Sequence, residues 1–230
     1  MKKSLLVLLI ILLVLLFDQW LKIWVKTHMF YGEEFLLLGI ENARIHFVEN
    51  NGMAFGISLG GNYGKLALSL FRILAVGALA FYIRFLIKTE VSRGLLVSFA
   101  LIFAGAVGNI IDSAFYGLIF SESYHGVATM FPEGGGYAGF LFGKVVDMLH
   151  FPLFSGFFPE WMPFWGGQRF TFFSPVFNIA DSAITIGVIY ILLFQRKFFK
   201  VSEETESPSG TEVAVETGKN EASIQTGEAL

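Results

Sequence analysis

Carboxylates and carboxamides stand in this chain where the neighbouring residues call for lipid. In Pro175-Val176-Phe177-Asn178-Ile179-Ala180-Asp181-Ser182, an amide and a carboxylate three residues apart open a long hydrophobic run. A helix places residues at that spacing on one face. Asn109 and Asp112 repeat the spacing inside another apolar run, and Asp18 lies in a third with Lys22 one turn later. Ionisable groups inside a span are costly and face a bundle interior or a water-filled cavity. One further carboxylate, Asp147, sits outside these runs in the apolar segment Gly143-Lys144-Val145-Val146-Asp147-Met148-Leu149. Folded back to the outer end of the last run, it meets Asp181. Two carboxylates about one water are a hydrolytic device in which one stays ionised as base and the other holds a proton as acid. The plainer alternatives are polar packing between helices for the Asn–Asp pairs and a helix-internal ion pair for Asp18 and Lys22.

The elements that must position these groups are four hydrophobic runs of spanning length, at about 4–25, 66–87, 95–116 and 173–194. The first resembles a secretory signal, but no small-x-small cleavage site follows and Asp18, Trp20 and Trp24 extend it to a full span. Basic residues collect at Lys2/Lys3, Arg84/Lys88/Arg93 and Arg196/Lys197/Lys200. The positive-inside rule therefore predicts cytoplasmic termini and two outward connections, at about 26–65 and 117–172. Asp18 and Asp181 each stand 15 residues from a cytoplasmic anchor, Lys3 and Arg196 respectively. At the helical rise both lie roughly 22 Å from the inner end, with Asn109 and Asp112 at roughly 24 and 28 Å. Independent packing polars would have no reason to agree in depth. Ala104, Gly105 and Gly108 beside Asn109 predict close approach of another helix.

In the first outer connection, residues 43–48 alternate apolar and polar as a half-exposed strand does, and Asn50-Asn51-Gly52 signals a turn. A small β-rich platform is expected on the outer surface. The second connection carries many Phe and Trp between prolines and the run Gly134-Gly135-Gly136. Its prolines exclude a further spanning helix, so the aromatic 151–165 part is expected at the outer lipid interface. The glycine run is expected to hinge a flap. Residues 201–230 hold little to bury and read as a disordered cytoplasmic tail behind one membrane-embedded domain, 1–200.

Composition sets the class. Of 230 residues 54% are apolar and only 15% charged, too few charges to cover a soluble domain of this size. The net charge of −3 without a basic stripe argues against nucleic acid. The absence of cysteine excludes disulfides, thiol catalysis and Cys-type metal sites, and the four histidines lack an HExxH-like spacing. No metal and no organic cofactor are expected.

Taken together, Asp18-x-x-x-Lys22, Asn51-Gly52-Met53-Ala54-Phe55, Gly105-x-x-Gly108-Asn109-x-x-Asp112, Val146-Asp147 and Phe177-Asn178-x-Ala180-Asp181-Ser182 resemble lipoprotein signal peptidase, also called signal peptidase II. The match covers about residues 4–196 in order. The resemblance implies an all-α membrane protein, a four-transmembrane-helix bundle with a small periplasmic β-rich cradle. It implies an intramembrane aspartyl endopeptidase of the bacterial inner membrane that removes signal peptides from diacylglyceryl-modified prolipoproteins, before the lipidated cysteine. By resemblance Asp147 and Asp181 are the catalytic dyad, and Asn51, Asn109 and Asn178 line the substrate site with Asp18 in support. Lys22, Gly52 and Asp112 belong to the same motifs. Membrane lipids and globomycin-type inhibitors are the further partners it implies.

Two features depart from the family pattern. Ser113 stands where an arginine usually follows the Asn-x-x-Asp motif, and the link from Asn109 to Asp147 is much longer than the common form. Arg72, in a neighbouring run, is a candidate for the missing cation. The competing function is a proton-coupled transporter or channel, which also uses intramembrane carboxylates. It would need a polar path to the cytoplasm, and the runs inward of Asp18, Asn109 and Asp181 are almost wholly apolar.

Overall fold

The computed structural model describes residues 2–51 and 61–194. Gly52 to Phe55, the basic residues from Arg196 onward and the tail at 201–230 lie outside the described residues. Among the described residues, three helices are long and apolar enough to cross a membrane. They are α1 (Lys3–His28), α2 (Gly61–Lys88) and α3 (Arg93–Ile111), the last continued by a π-helical turn (Asp112–Tyr116) and a short α4 (Gly117–Ile119). Ser92 caps α3, its hydroxyl accepting the N–H of Leu95 at 3.2 Å. Helix α2 begins at Gly61, earlier than the expected start at about 66, so Gly61 and Gly64 lie in its first turn.

The last hydrophobic run departs from expectation at its start. Helix α5 spans Ile179–Phe194, not 173–194, and its 16 described residues make it a shorter apolar helix. Pro175 lacks a backbone N–H and disfavours helical geometry at Ser174, so the chain enters extended, forms strand β6 (Val176–Phe177) and turns helical only after Asn178.

Strands make the molecule more than an all-α protein. β1 (Glu34–Leu36), β2 (Arg44–Asn50), β3 (Val145–His150) and β6 form one antiparallel sheet in the order β1-β2-β3-β6. β2 is the alternating strand foreseen in the sequence, and its buried positions Ile45, Phe47 and Glu49 confirm the alternation. Under the sheet, Val25 and Met29 of α1 meet Ile45, Phe47, Val146, Met148, Tyr116 and Phe120 in one core cluster.

A buried charge ties this cluster to the long connection. Lys26 bonds Glu49 and the Ser123 hydroxyl, and its ammonium lies 4.9 to 5.9 Å from the ring centres of Tyr137, Phe120 and Phe47. Within the Gly134–Gly136 run, Gly136 is held against the backbone. A Cβ on Gly136 would fall 2.1 Å from the Gly117 carbonyl oxygen, and Ala138 N–H donates to that same oxygen at 2.9 Å. The glycine allows backbone to lie directly on backbone, which pins the connection to the end of α3.

Further along, β4 (Phe154–Phe157) and β5 (Arg169–Phe172) form a hairpin outside the main sheet. Phe154 stacks on Phe172, while Trp161 is 79% and Phe164 91% exposed. So much exposed aromatic surface in a chain with membrane-spanning helices suits a lipid interface. With Trp20 and Trp24 changed to Phe, fluorescence of Trp161 and Trp165 should be quenched by lipids brominated near the headgroup. Quenching by aqueous iodide alone would place the hairpin in water.

Candidate active site

Helices α3 and α5 approach so closely at Gly105 that no Cβ would fit there. A Cβ on Gly105 would lie 2.2 Å from the Ala180 carbonyl oxygen, and one on Gly108 would lie 2.8 Å from Asp18 Oδ2. The small residues foreseen beside Asn109 therefore admit α5, and with it the first turn that carries Asp181.

Lys22 is fully buried, and its ammonium spends all its donors on one cluster. It lies 2.9 Å from Asp18, 2.8 Å from Asp112 and 3.1 Å from Asn109 Oδ1. The Asp18–Lys22 pair is thus a helix-internal ion pair, as the plainer alternative held, and also a bridge to α3. The lone pairs left on the carboxylates are used too. Ala180 N–H donates to Asp18 Oδ1 at 2.9 Å and Val146 N–H to Asp112 Oδ2 at 3.2 Å. Gln19 Nε2 donates to Asp112 Oδ1 at 3.0 Å, while its Oε1 accepts the Tyr116 hydroxyl at 3.1 Å.

Asn109 is oriented by this arrangement. Its oxygen faces the ammonium, so its nitrogen faces away and donates to Asp181 Oδ1 at 2.7 Å. Asn178 is fixed in the same manner. Its Nδ2 donates to Asp147 Oδ1 at 2.7 Å and Asn109 Oδ1 at 3.1 Å, and its Oδ1 accepts Asp181 N–H at 2.8 Å. That last bond caps α5. One carboxamide therefore holds the Asp147 side chain on one side and the Asp181 backbone on the other.

Asp147 reaches this point because β3 pairs with β2 on one edge and β6 on the other, with Asp147 opposite Val48 and Leu149 opposite Phe177. Its second oxygen accepts the Asn50 side-chain amide. Only 3% exposed, Asp147 has its carboxyl pushed up to about 8 by burial and then by the neighbouring Asp181 charge. Asp181 is half-buried. The site thus holds a buried carboxyl whose protonated form is favoured beside the half-buried Asp181 side chain.

Of the residues singled out in the sequence, Asp18, Lys22, Asn109, Asp112, Asn178, Asp147 and Asp181 join one continuous network. Asn51 does not: it is exposed and accepts from Lys65 Nζ at 3.0 Å. Gly52 lies outside the described residues. Asn50, Gln19 and Lys65 were not foreseen. Asn50 opens the turn signal and ends β2, while the family motif begins one residue further on, at Asn51. Ser113 is buried and its hydroxyl donates to the Asn109 carbonyl at 3.0 Å within the π-helical turn. Arg72 interacts electrostatically with Asp181, Asp147 and Asp112.

Comparison with known proteins places the whole chain rather than the site. The family model for signal peptidase (SPase) II matches residues 10–197. The chain is similar to the lipoprotein signal peptidase of Porphyromonas gingivalis, 52% identical over 185 residues that make up 80% of each chain. It is similar to the one from Amoebophilus asiaticus, 38% identical over 207 residues, 89% of this chain and 82% of that one. A bacterial membrane enzyme solved by the in meso method superposes with a TM-score of 0.53 and 27% identity, covering 90% of this chain and 94% of its own.

The network predicts unequal losses of stability. Lys22→Met leaves two buried carboxylates without their cation and should cost about 3–5 kcal/mol. Asp112→Asn keeps one acceptor oxygen, which can serve Gln19 or Val146 but not both, and leaves Lys22 paired with Asp18, so it should cost less. Thermal unfolding of the detergent-solubilised variants tests the order; an unchanged midpoint for Lys22→Met would remove it from the centre of the cluster.

Proposed function

The chain belongs to the signal peptidase II family of membrane proteases, and from that membership we propose that it removes the signal peptide from diacylglyceryl-modified prolipoproteins, cutting before the lipidated cysteine. The observation that carries the proposal is the Asn178 carboxamide, which contacts Asp147 and the backbone of Asp181 together. A substrate held as an acylated membrane helix would present its scissile bond between these carboxylates.

Asp181 takes a proton from water as the oxygen attacks the scissile carbonyl, and Asp147 gives its proton to the carbonyl oxygen. A tetrahedral diol results. On collapse, the diol hydroxyl returns its proton to Asp147 and Asp181 protonates the leaving nitrogen. The peptide bond is thereby exchanged for a carboxyl and an amine, with no metal or organic cofactor. Asn109 and Asn178 orient the two carboxylates, and Lys22, Asp18 and Asp112 hold those amides in place. Arg72 supplies positive charge toward the carboxylates that Ser113 does not. By family resemblance, globomycin-type inhibitors would occupy this same site.

The protein is proposed to be one peptidase domain over about 1–200 in the bacterial inner membrane, crossing it four times with α5 as the last crossing. Exposed Ile186, Val188, Ile189, Leu192, Leu193 and Phe194 support lipid around α5. Both termini would be cytoplasmic and the site periplasmic, as the basic clusters suggest.

Asp147→Asn and Asp181→Asn should each reduce cleavage of a diacylglyceryl-modified precursor by at least about 10²–10⁴-fold while the protein still inserts. Substantial turnover by either variant would sink the aspartyl mechanism. With the parent, the rate should fall as pH rises through about 8, because Asp147 loses the proton it must donate. A rate that climbs through that range would reverse the assigned roles.

Single cysteines test the topology in this cysteine-free chain. Ser58→Cys should label from outside, Glu90→Cys and Ser209→Cys only after permeabilisation. Glu90 avoids Ser92, which caps α3.

A further inference from the structure

Away from the carboxylate network, the sheet gathers three side chains that lie far apart in sequence. Glu34 of β1 pairs directly with His46 of β2, and His150 of β3 pairs with Arg44 two residues from His46. Alternation puts His46 and Arg44 on one face, so His150 stands diagonally across from His46. Their rings sit 5.6 Å apart at 58°, and one ligand atom from each of Glu34, His46 and His150 falls within 4.8 Å of the others.

Three ring nitrogens in this cluster are buried without a hydrogen-bond partner: His46 Nδ1 and both nitrogens of His150. Buried polar atoms are ordinarily paired, and such orphans call for a water or an ion. His46 Nδ1 lies 3.5 Å from Glu34 Oε2, and Arg44 engages the other Glu34 oxygen at 2.9 Å. One carboxylate oxygen is therefore turned toward the imidazoles while its twin is neutralised. We propose that Glu34, His46 and His150 form a site for a divalent transition metal of the zinc class, bridging three adjacent strands of the sheet.

The donor set selects this class. Two imidazoles and one carboxylate are a three-protein-ligand zinc arrangement with the fourth tetrahedral position left to water. Magnesium and calcium prefer all-oxygen surroundings and find one carboxylate here. Imidazole binds metal in its neutral form. Bound metal would lock β1, β2 and β3 in register. Since β3 also carries Asp147, the site stiffens the sheet that presents it without entering the chemistry proposed above. Nothing in HExxH-type spacing announces it, because the ligands converge only through strand pairing.

The test uses the full-length protein in detergent, stripped with chelator and titrated with Zn²⁺ by calorimetry and thermal unfolding. Saturable binding of about one equivalent with a raised unfolding midpoint is expected. His46→Gln and His150→Gln should each weaken binding at least about tenfold, while Asp147→Asn leaves it unchanged. Glu34→Gln, at an exposed position, gives a third variant should a histidine change impair folding. Each variant's metal-free midpoint separates lost binding from lost structure. Absence of saturable binding, binding retained in the histidine and Glu34 variants, or equal affinity for Mg²⁺ would overturn the proposal.

Discussion

The Lys22 ammonium, buried and shared among Asp18, Asp112 and Asn109, is the contact on which the rest of the site depends. Two carboxylates in an apolar bundle are tolerable only when charge and hydrogen bonds satisfy them. The ammonium joins α1 to α3, and the remaining carboxylate lone pairs reach the backbones of α5 and β3 through Ala180 and Val146. Four segments distant in sequence therefore close around one cation. By holding the Asn109 oxygen, Lys22 sets the orientation of the amide that donates to Asp181.

From Asn109 the order propagates to the start of α5. The first N–H groups of a helix have no intrahelical partner. Here Ala180 N–H goes to Asp18, Asp181 N–H to Asn178 Oδ1 and Ser182 N–H to the Asn178 carbonyl. Residues of the site are thus the caps of the helix that carries one of its carboxylates. Stability of the helix start and placement of Asp181 are one constraint, which is why Gly105 and Gly108 matter: any larger residue would hold α5 away from its caps.

The sheet supplies the other half. β3 lies between β2 and β6, so Asp147 is carried in on a strand flanked by the one that bears Asn50 and the one that leads into Asn178. The Lys26–Glu49–Ser123 contact fastens β2 to α1 and to the long connection, one residue before Asn50. The extra length of that connection is spent partly on this anchor and partly on the aromatic hairpin beyond it.

By itself the sequence determined what local spacing and hydrophobicity can carry. The three long helices, the alternating β2 strand, the small residues at the α3–α5 contact and the shared depth of Asp18, Asn109, Asp112 and Asp181 all follow from periodicity along a single segment. The apolar setting of Asp147 made it a candidate for that set, and the family motifs gave it a role. Tertiary structure decided the rest, because it depends on pairing between segments. Asn50 rather than Asn51 meets Asp147, since one residue's displacement along a strand turns a side chain to the other face. Helix α5 begins at Ile179 because Pro175 and the Asn178 cap overrule a hydrophobic run that continues through them. Gly136 packs as a contact rather than swinging as a hinge, because the backbone it must touch lies nearly twenty residues earlier. Glu34, His46 and His150 become neighbours for the same reason: strand register, which no local spacing encodes, sets their distances.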